Sequence, residues 1–138
     1  MIPAALGRLA AGTALALGLA ACGGGYTAGE KLEYAVTQFN EGVRWGRIGE
    51  VLPRVDPAAR EHFQTLHAEW GGDIQIGGYE IMQTVLDEKS GIAEVTLTVS
   101  WYRQSKMEAF QTILAQRWEE FEGDWRLVAE EYRGGTPF

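Results

Sequence analysis

From Ile92 to Arg103 apolar and polar residues alternate without a break. Ala93, Val95, Leu97, Val99 and Trp101 fall on one phase; Glu94, Thr96, Thr98, Ser100 and Tyr102 fall on the other. Successive side chains of a strand point to opposite faces, so a period of two predicts a strand with one face on a core and one on solvent. Such a strand needs hydrogen-bonded neighbours and a layer over its apolar face. The flanking sequence supplies the neighbours. Residues 74–86 read as a strand interrupted at Gly77-Gly78, where a bulge or bend is expected, and Asp87-Glu88-Lys89-Ser90-Gly91 reads as a hairpin loop.

Residues 107–121 fit two periods. Met107, Phe110, Ile113, Leu114, Trp118 and Phe121 would make a helical stripe, whereas Phe110-Thr112-Leu114-Gln116-Trp118 alternates. The turn Glu122-Gly123-Asp124 and a further strand over 125–132 decide for the strand, because a hairpin partner must be extended. Residues 134–138, Gly-Gly-Thr-Pro-Phe, read as a flexible tail.

The covering layer comes from upstream. Thr27 and Glu30 form the pattern of a capping box, and Leu32, Val36, Phe39 and Val43 follow at helical spacing, which predicts a helix ending near Ile48. A short turn of helix, 49–52, is expected before Pro53. Asp56-Pro57, an N-cap followed by proline, starts a second helix whose buried face is Ala59, Phe63, Leu66 and Trp70, with Gly71-Gly72 as its stop. His67 lies beside that face and His62 away from it. The chain thus reads as α+β, with N-terminal helices packed on a four-stranded antiparallel sheet.

Ahead of this domain lies a different kind of segment. Arg8 precedes an uncharged run over 9–19 that is shorter than the roughly 20 apolar residues of a membrane span, and small residues follow. Its end, Leu19-Ala20-Ala21-Cys22, resembles the lipobox of bacterial lipoproteins and holds the one cysteine of the sequence. The resemblance implies cleavage between Ala21 and Cys22 and lipid attachment, palmitate included, at Cys22. Gly23-Gly24-Gly25 would serve as a leash. Two or three acyl chains hold a domain stably where one does not. Because Gly23 rather than Asp follows the cysteine, the family's sorting rule points to the outer membrane, facing the periplasm. The domains expected are therefore a signal peptide (1–21), a lipidated leash (22–27), a single α+β domain (28–133) and the tail (134–138).

Of the 12 basic side chains one, Arg8, falls in the signal segment, so the remainder carries 11 bases against 19 acids, a net charge of −8. That balance argues against nucleic acid and against an electrostatic grip on anionic lipid, leaving the lipid anchor as the contact with the membrane. Five Trp, five Tyr and five Phe imply an aromatic core.

Helices first and then four antiparallel strands resemble the nuclear transport factor 2-like superfamily. The block Gln116-Arg117-Trp118, Gly123, Trp125-Arg126-Leu127-Val128 resembles its last hairpin, where one strand ends in Trp and the next opens with Gly-x-Trp-Arg. The resemblance implies a curved, cone-shaped sheet wrapped around the first helix, with a cavity between its concave face and the helices. The superfamily contains isomerases, cyclases and dehydratases beside members that only bind or assemble, so it leaves activity open.

An isomerase-type site needs a carboxylate base and a hydrogen-bond donor to the developing oxyanion. Asp73 with Tyr34 or Tyr79 could supply them, yet Asp73 follows two glycines as a turn residue does. Tyr34 lies off the apolar stripe of its helix. His62 and His67, five apart, sit on different helix faces, so no metal site is expected and no cofactor. Ser90, Ser100 and Ser105 have no nucleophile turn around them. The candidate pocket is Tyr34, His67, Asp73, Trp101 and Trp118, with Trp125 nearby; the tryptophans serve equally as core. No catalytic residue is assigned. Three functions stay open: a non-enzymatic envelope lipoprotein that binds a protein partner or assembles, as a homodimer through the polar sheet face for example; a carrier or sensor of a small apolar ligand; and an isomerase- or dehydratase-like enzyme.

Overall fold

The structure, a computed structural model, describes residues 24–138; the signal segment, Ala21 and Cys22 lie outside the described residues. Helix α1 spans Ala28–Arg44 and opens on the capping box: Thr27 Oγ1 accepts from Glu30 N (3.2 Å) while Thr27 N donates to Glu30 Oε2 (2.7 Å). It ends at Arg44, four residues short of the end expected near Ile48, because Gly46 takes a positive φ and turns the chain into the short helix α2, Ile48–Val51. Two 3-10 turns follow, Leu52–Arg54 and Pro57–Ala59, the second capped by Asp56, whose side chain accepts from Ala58 N at 3.0 Å. Helix α3 covers Arg60–Leu66. It stops before Trp70, not at it: the chain leaves the helix at His67 and turns so that Trp70 bridges Ile74 beside the first strand.

Four strands, β1 (Ile74–Asp87), β2 (Ile92–Arg103), β3 (Glu108–Phe121) and β4 (Asp124–Gly135), form one antiparallel sheet in sequence order. Residues 107–121 thus obey the hairpin and not the helical stripe. The loop Glu122-Gly123 explains why: both residues have positive φ (51° and 82°), the two-residue turn whose twist matches paired strands. Extra residues at Gly77 and Met82 in β1, Val128 in β4 and Arg133 near its end bulge the edge strands and add curvature. The sheet curls enough for α1 to touch both β1 and β4, its two edges.

The concave face and the helices enclose the core. Ala93, Val95, Leu97, Val99 and Trp101 are buried as their alternation predicts, against Leu32, Val36, Phe39 and Val43 of α1 and Phe63 of α3. Phe39 is the centre of the packing: its ring meets Trp118 edge-on at 5.4 Å and Phe63 at 5.6 Å. The opposite sheet face, with Thr98 and Tyr102, is not covered by any element among the described residues.

Residues 134–138 correct the expectation of a free tail. Gly134 and Gly135 are the last residues of β4, and Thr136 N donates to Gln111 O at 2.8 Å. Phe138 packs on Trp70, Trp101 and Tyr132, because those rings leave an apolar surface at the open end of the cone.

Candidate functional site

The interior of the cone holds a connected polar chain. Asn40 of α1 and Gln116 of β3 exchange hydrogen bonds: Asn40 Nδ2 donates to Gln116 Oε1 (3.1 Å) and Gln116 Nε2 to Asn40 Oδ1 (2.9 Å). Gln116 Nε2 also donates to Glu130 Oε2 at 2.7 Å, and Glu130 Oε1 lies 2.6 Å from His67 Nε2. Trp118 Nε1 donates to Gln116 Oε1 (3.3 Å), and Asn40 Nδ2 to Val36 O (2.9 Å). The side chains of His67 and Glu130 are 1% and 3% exposed, so this is a buried pair and not a surface one.

The two oxygens of Glu130 are engaged from opposite sides, Oε2 by Gln116 and Oε1 by His67. A carboxylate only accepts, so a proton sits on His67 Nε2 and is donated to Glu130 Oε1. Among the described residues His67 Nδ1, Trp70 Nε1 and Trp125 Nε1 find no hydrogen-bond partner. A histidine aligned by a carboxylate has the parts of an acid–base pair. It lacks room beside it. The space lined by Asn40, Val43, His67, Trp70, Tyr79 and Glu130 admits the centre of a water-sized sphere over about 10 Å³ only, while substrate pockets measure roughly 300–1,000 Å³. The chain therefore reads as a polar pin that ties α1, α3, β3 and β4 at one point.

The expected pocket residues do not converge. His67, Trp101 and Trp118 are inside; Trp101 stacks on Phe110 at 4.6 Å and donates to Thr112 Oγ1 at 2.8 Å. Tyr34 is exposed on α1, where its hydroxyl accepts from Gln38 Nε2 at 2.5 Å. Asp73 sits in the turn before β1 and latches the β2–β3 loop: it accepts from Ser105 N (2.8 Å), Ser105 Oγ (2.9 Å) and Arg103 Nη1 (3.3 Å). The Ser105 backbone bond, its hydroxyl and the Arg103 guanidinium hold the Asp73 carboxyl below the usual carboxylate range. Asp73 is thus a turn residue and no base for the cone. Tyr79 faces inward from β1; burial first, then the Glu41 carboxylate, pushes its hydroxyl pKa up. Its hydroxyl stays protonated into alkaline solution.

Asn40, Gln116 and Glu130 were not singled out by sequence. For Gln116 a signal existed, since it stands on the apolar phase of β3 between Leu114 and Trp118. For Glu130 there was none: the alternation Trp125, Leu127, Ala129 would send it outward, and the bulge at Val128 turns it in. Among the described residues no group of three or more His, Cys, Asp or Glu side chains is placed to hold a metal ion.

No protein-family model matches the sequence, and no curated protein matches it. Solved structures do share the fold. One is the solution structure of a SEC-C motif containing protein from Rhodopseudomonas palustris, similar over 78% of this chain and 89% of its own at 10% identity with a TM-score of 0.61. Another is TraE protein in complex with 2-(2-furyl)isonicotinic acid, similar over 77% of this chain and 94% of its own at 14% identity with a TM-score of 0.50. At such identities the likeness concerns the fold: three helices on an open four-stranded antiparallel sheet.

Proposed function

We propose that this chain is a lipid-anchored envelope lipoprotein whose domain binds a protein partner and performs no chemistry of its own. The observation that carries the reading is the filled cone. With Phe39, Leu97, Trp101 and Trp118 packed inside and about 10 Å³ left beside the His67–Glu130 pair, recognition falls to the outer surface. The anchor rests on Leu19-Ala20-Ala21-Cys22, and placement in the outer membrane on Gly23. The partner is another envelope protein or a second copy of this chain. An order of elements resembling the nuclear transport factor 2-like superfamily agrees with this role, since that superfamily includes binding and assembling members.

Among the described residues no helix is long and apolar enough to cross a membrane, so on this reading the lipid supplies the attachment. The test has two arms in one cell line. Cys22→Ala should end palmitate incorporation and leave uncleaved precursor; label retained by that variant would sink the anchor. A photo-reactive residue at Thr98, on the uncovered sheet face, should give a discrete cross-linked species in intact cells. A small molecule bound stoichiometrically inside the cone, with no cross-link formed, would overturn the binding role in favour of a carrier.

A further inference from the structure

The open end of the cone carries a slot already filled by an extended peptide, the chain's own residues 136–138. Thr136 N donates to Gln111 O at 2.8 Å, Thr112 Oγ1 donates to Thr136 O, and Phe138 N donates to the Tyr132 hydroxyl at 3.1 Å. The Phe138 ring enters a ring of aromatics: Trp70 edge-on at 4.5 Å, Trp101 at 5.3 Å, Tyr132 at 5.7 Å and His67 at 6.3 Å. Backbone hydrogen bonds plus one aromatic anchor in a pocket is how sheet edges recognise peptides.

The segment uses only part of what the edge offers. Thr136 N to Gln111 O is its last backbone bond with β3, and among the described residues nothing pairs with residues 108–110 on the side away from β2. Separately, an open surface of about 560 Å³ lies across β1, β2 and β3 beside Thr136, touching Gly77, Ser100, Tyr102 and Gln111. Phe138 itself is only half-buried. A peptide that filled the ring slot and also paired with residues 108–110 would make every bond the tail makes and more.

We propose that this slot is the partner-docking site, that residues 136–138 occupy it in cis, and that the partner presents an extended segment with an aromatic anchor which displaces them. The inference rests on the binding role above and names the partner's chemistry. Gly135 is the latch. Its φ is +74°, and a Cβ there would run into the Gln111 carbonyl, so only glycine lets the backbone approach β3 closely enough to dock the segment.

The experiment uses the purified full chain in detergent and a peptide of the sequence 134–138, blocked at both ends. Binding is read from tryptophan fluorescence and from the indole N–H signals of Trp70 and Trp101. Phe138→Ala vacates the aromatic part of the slot, and Gly135→Ala undocks the segment while keeping every slot ring. Each variant should bind the peptide at least about tenfold more tightly than the unaltered chain, whose own tail competes at high effective concentration. A peptide with alanine in place of its phenylalanine should not bind. Equal binding by all three proteins, unmoved Trp70 and Trp101 signals, or equal binding of the alanine peptide would overturn the proposal. So would loss of the cooperative fold in both variants, which would make residues 136–138 part of the core. None of these results touches lipid labelling or cross-linking from Thr98, so failure here is distinguishable from failure of the binding role itself.

Discussion

Glu130→Ala isolates the energetics of the polar chain inside the cone. The substitution removes the acceptor 2.6 Å from His67 Nε2 and the acceptor 2.7 Å from Gln116 Nε2, in a place where water does not reach. Gln116 keeps its bond to Asn40, whereas His67 keeps none, since Nδ1 was already unpaired. Two buried donors, His67 Nε2 and Gln116 Nε2, then lose the acceptor they share, and a buried donor left unsatisfied costs about 1–3 kcal/mol, so about 2–6 kcal/mol in all. A domain of this size has about 5–15 kcal/mol in all, and each kcal/mol moves its melting midpoint by about 4 °C. The expected fall is therefore roughly 8–24 °C in calorimetry, with a matching shift in the urea midpoint at 25 °C. The double variant His67→Leu/Glu130→Leu removes the pair together and leaves only Gln116 Nε2 short of an acceptor, a deficit of about 1–3 kcal/mol. It should be more stable than Glu130→Ala. A loss below about 1 kcal/mol for the single variant, or a double variant no better than it, would refute the view that the pair pins the fold through mutual satisfaction.

Trp118→Ala removes a wholly buried ring that Phe39 meets edge-on, and should cost about 3–5 kcal/mol in chemical denaturation; an unchanged midpoint would mean that the cone is open there. The Asp73 latch sets a pH dependence of definite sign. Its folded pKa lies below the unfolded value, so its contribution is present above the unfolded pKa, near 3.9, and is lost as pH falls through the folded one. Asp73→Asn should therefore flatten the decline of the urea midpoint between neutral and acid pH, and an unaltered acid limb would count against the latch.

The order of elements was legible because each carried its own local signal. Period two in β2, the Thr27–Glu30 box, Asp56-Pro57 and the Glu122-Gly123 turn are settled within a few residues by backbone sterics and nearest-neighbour hydrogen bonds. The ends of the helices were less so: Gly46 and the turn after His67 respond to what packs beside them.

What tertiary structure alone decided is which polar residues meet. Gln116 was visible as a polar residue on an apolar phase, but its partners lie 76 and 14 residues away, at Asn40 and Glu130. Glu130 faces inward only because the bulge at Val128 shifts the phase of β4, and one residue of register turns every later side chain to the other face. Residues 134–138 read as a tail for the same reason: two glycines and a proline give no strand or helix signal, and the slot that holds Phe138 is built from Trp70, Trp101 and Tyr132, which only the folded sheet assembles. Local chemistry chose the elements of this protein; the closing of the sheet around α1 chose its interior and the mouth of the cone.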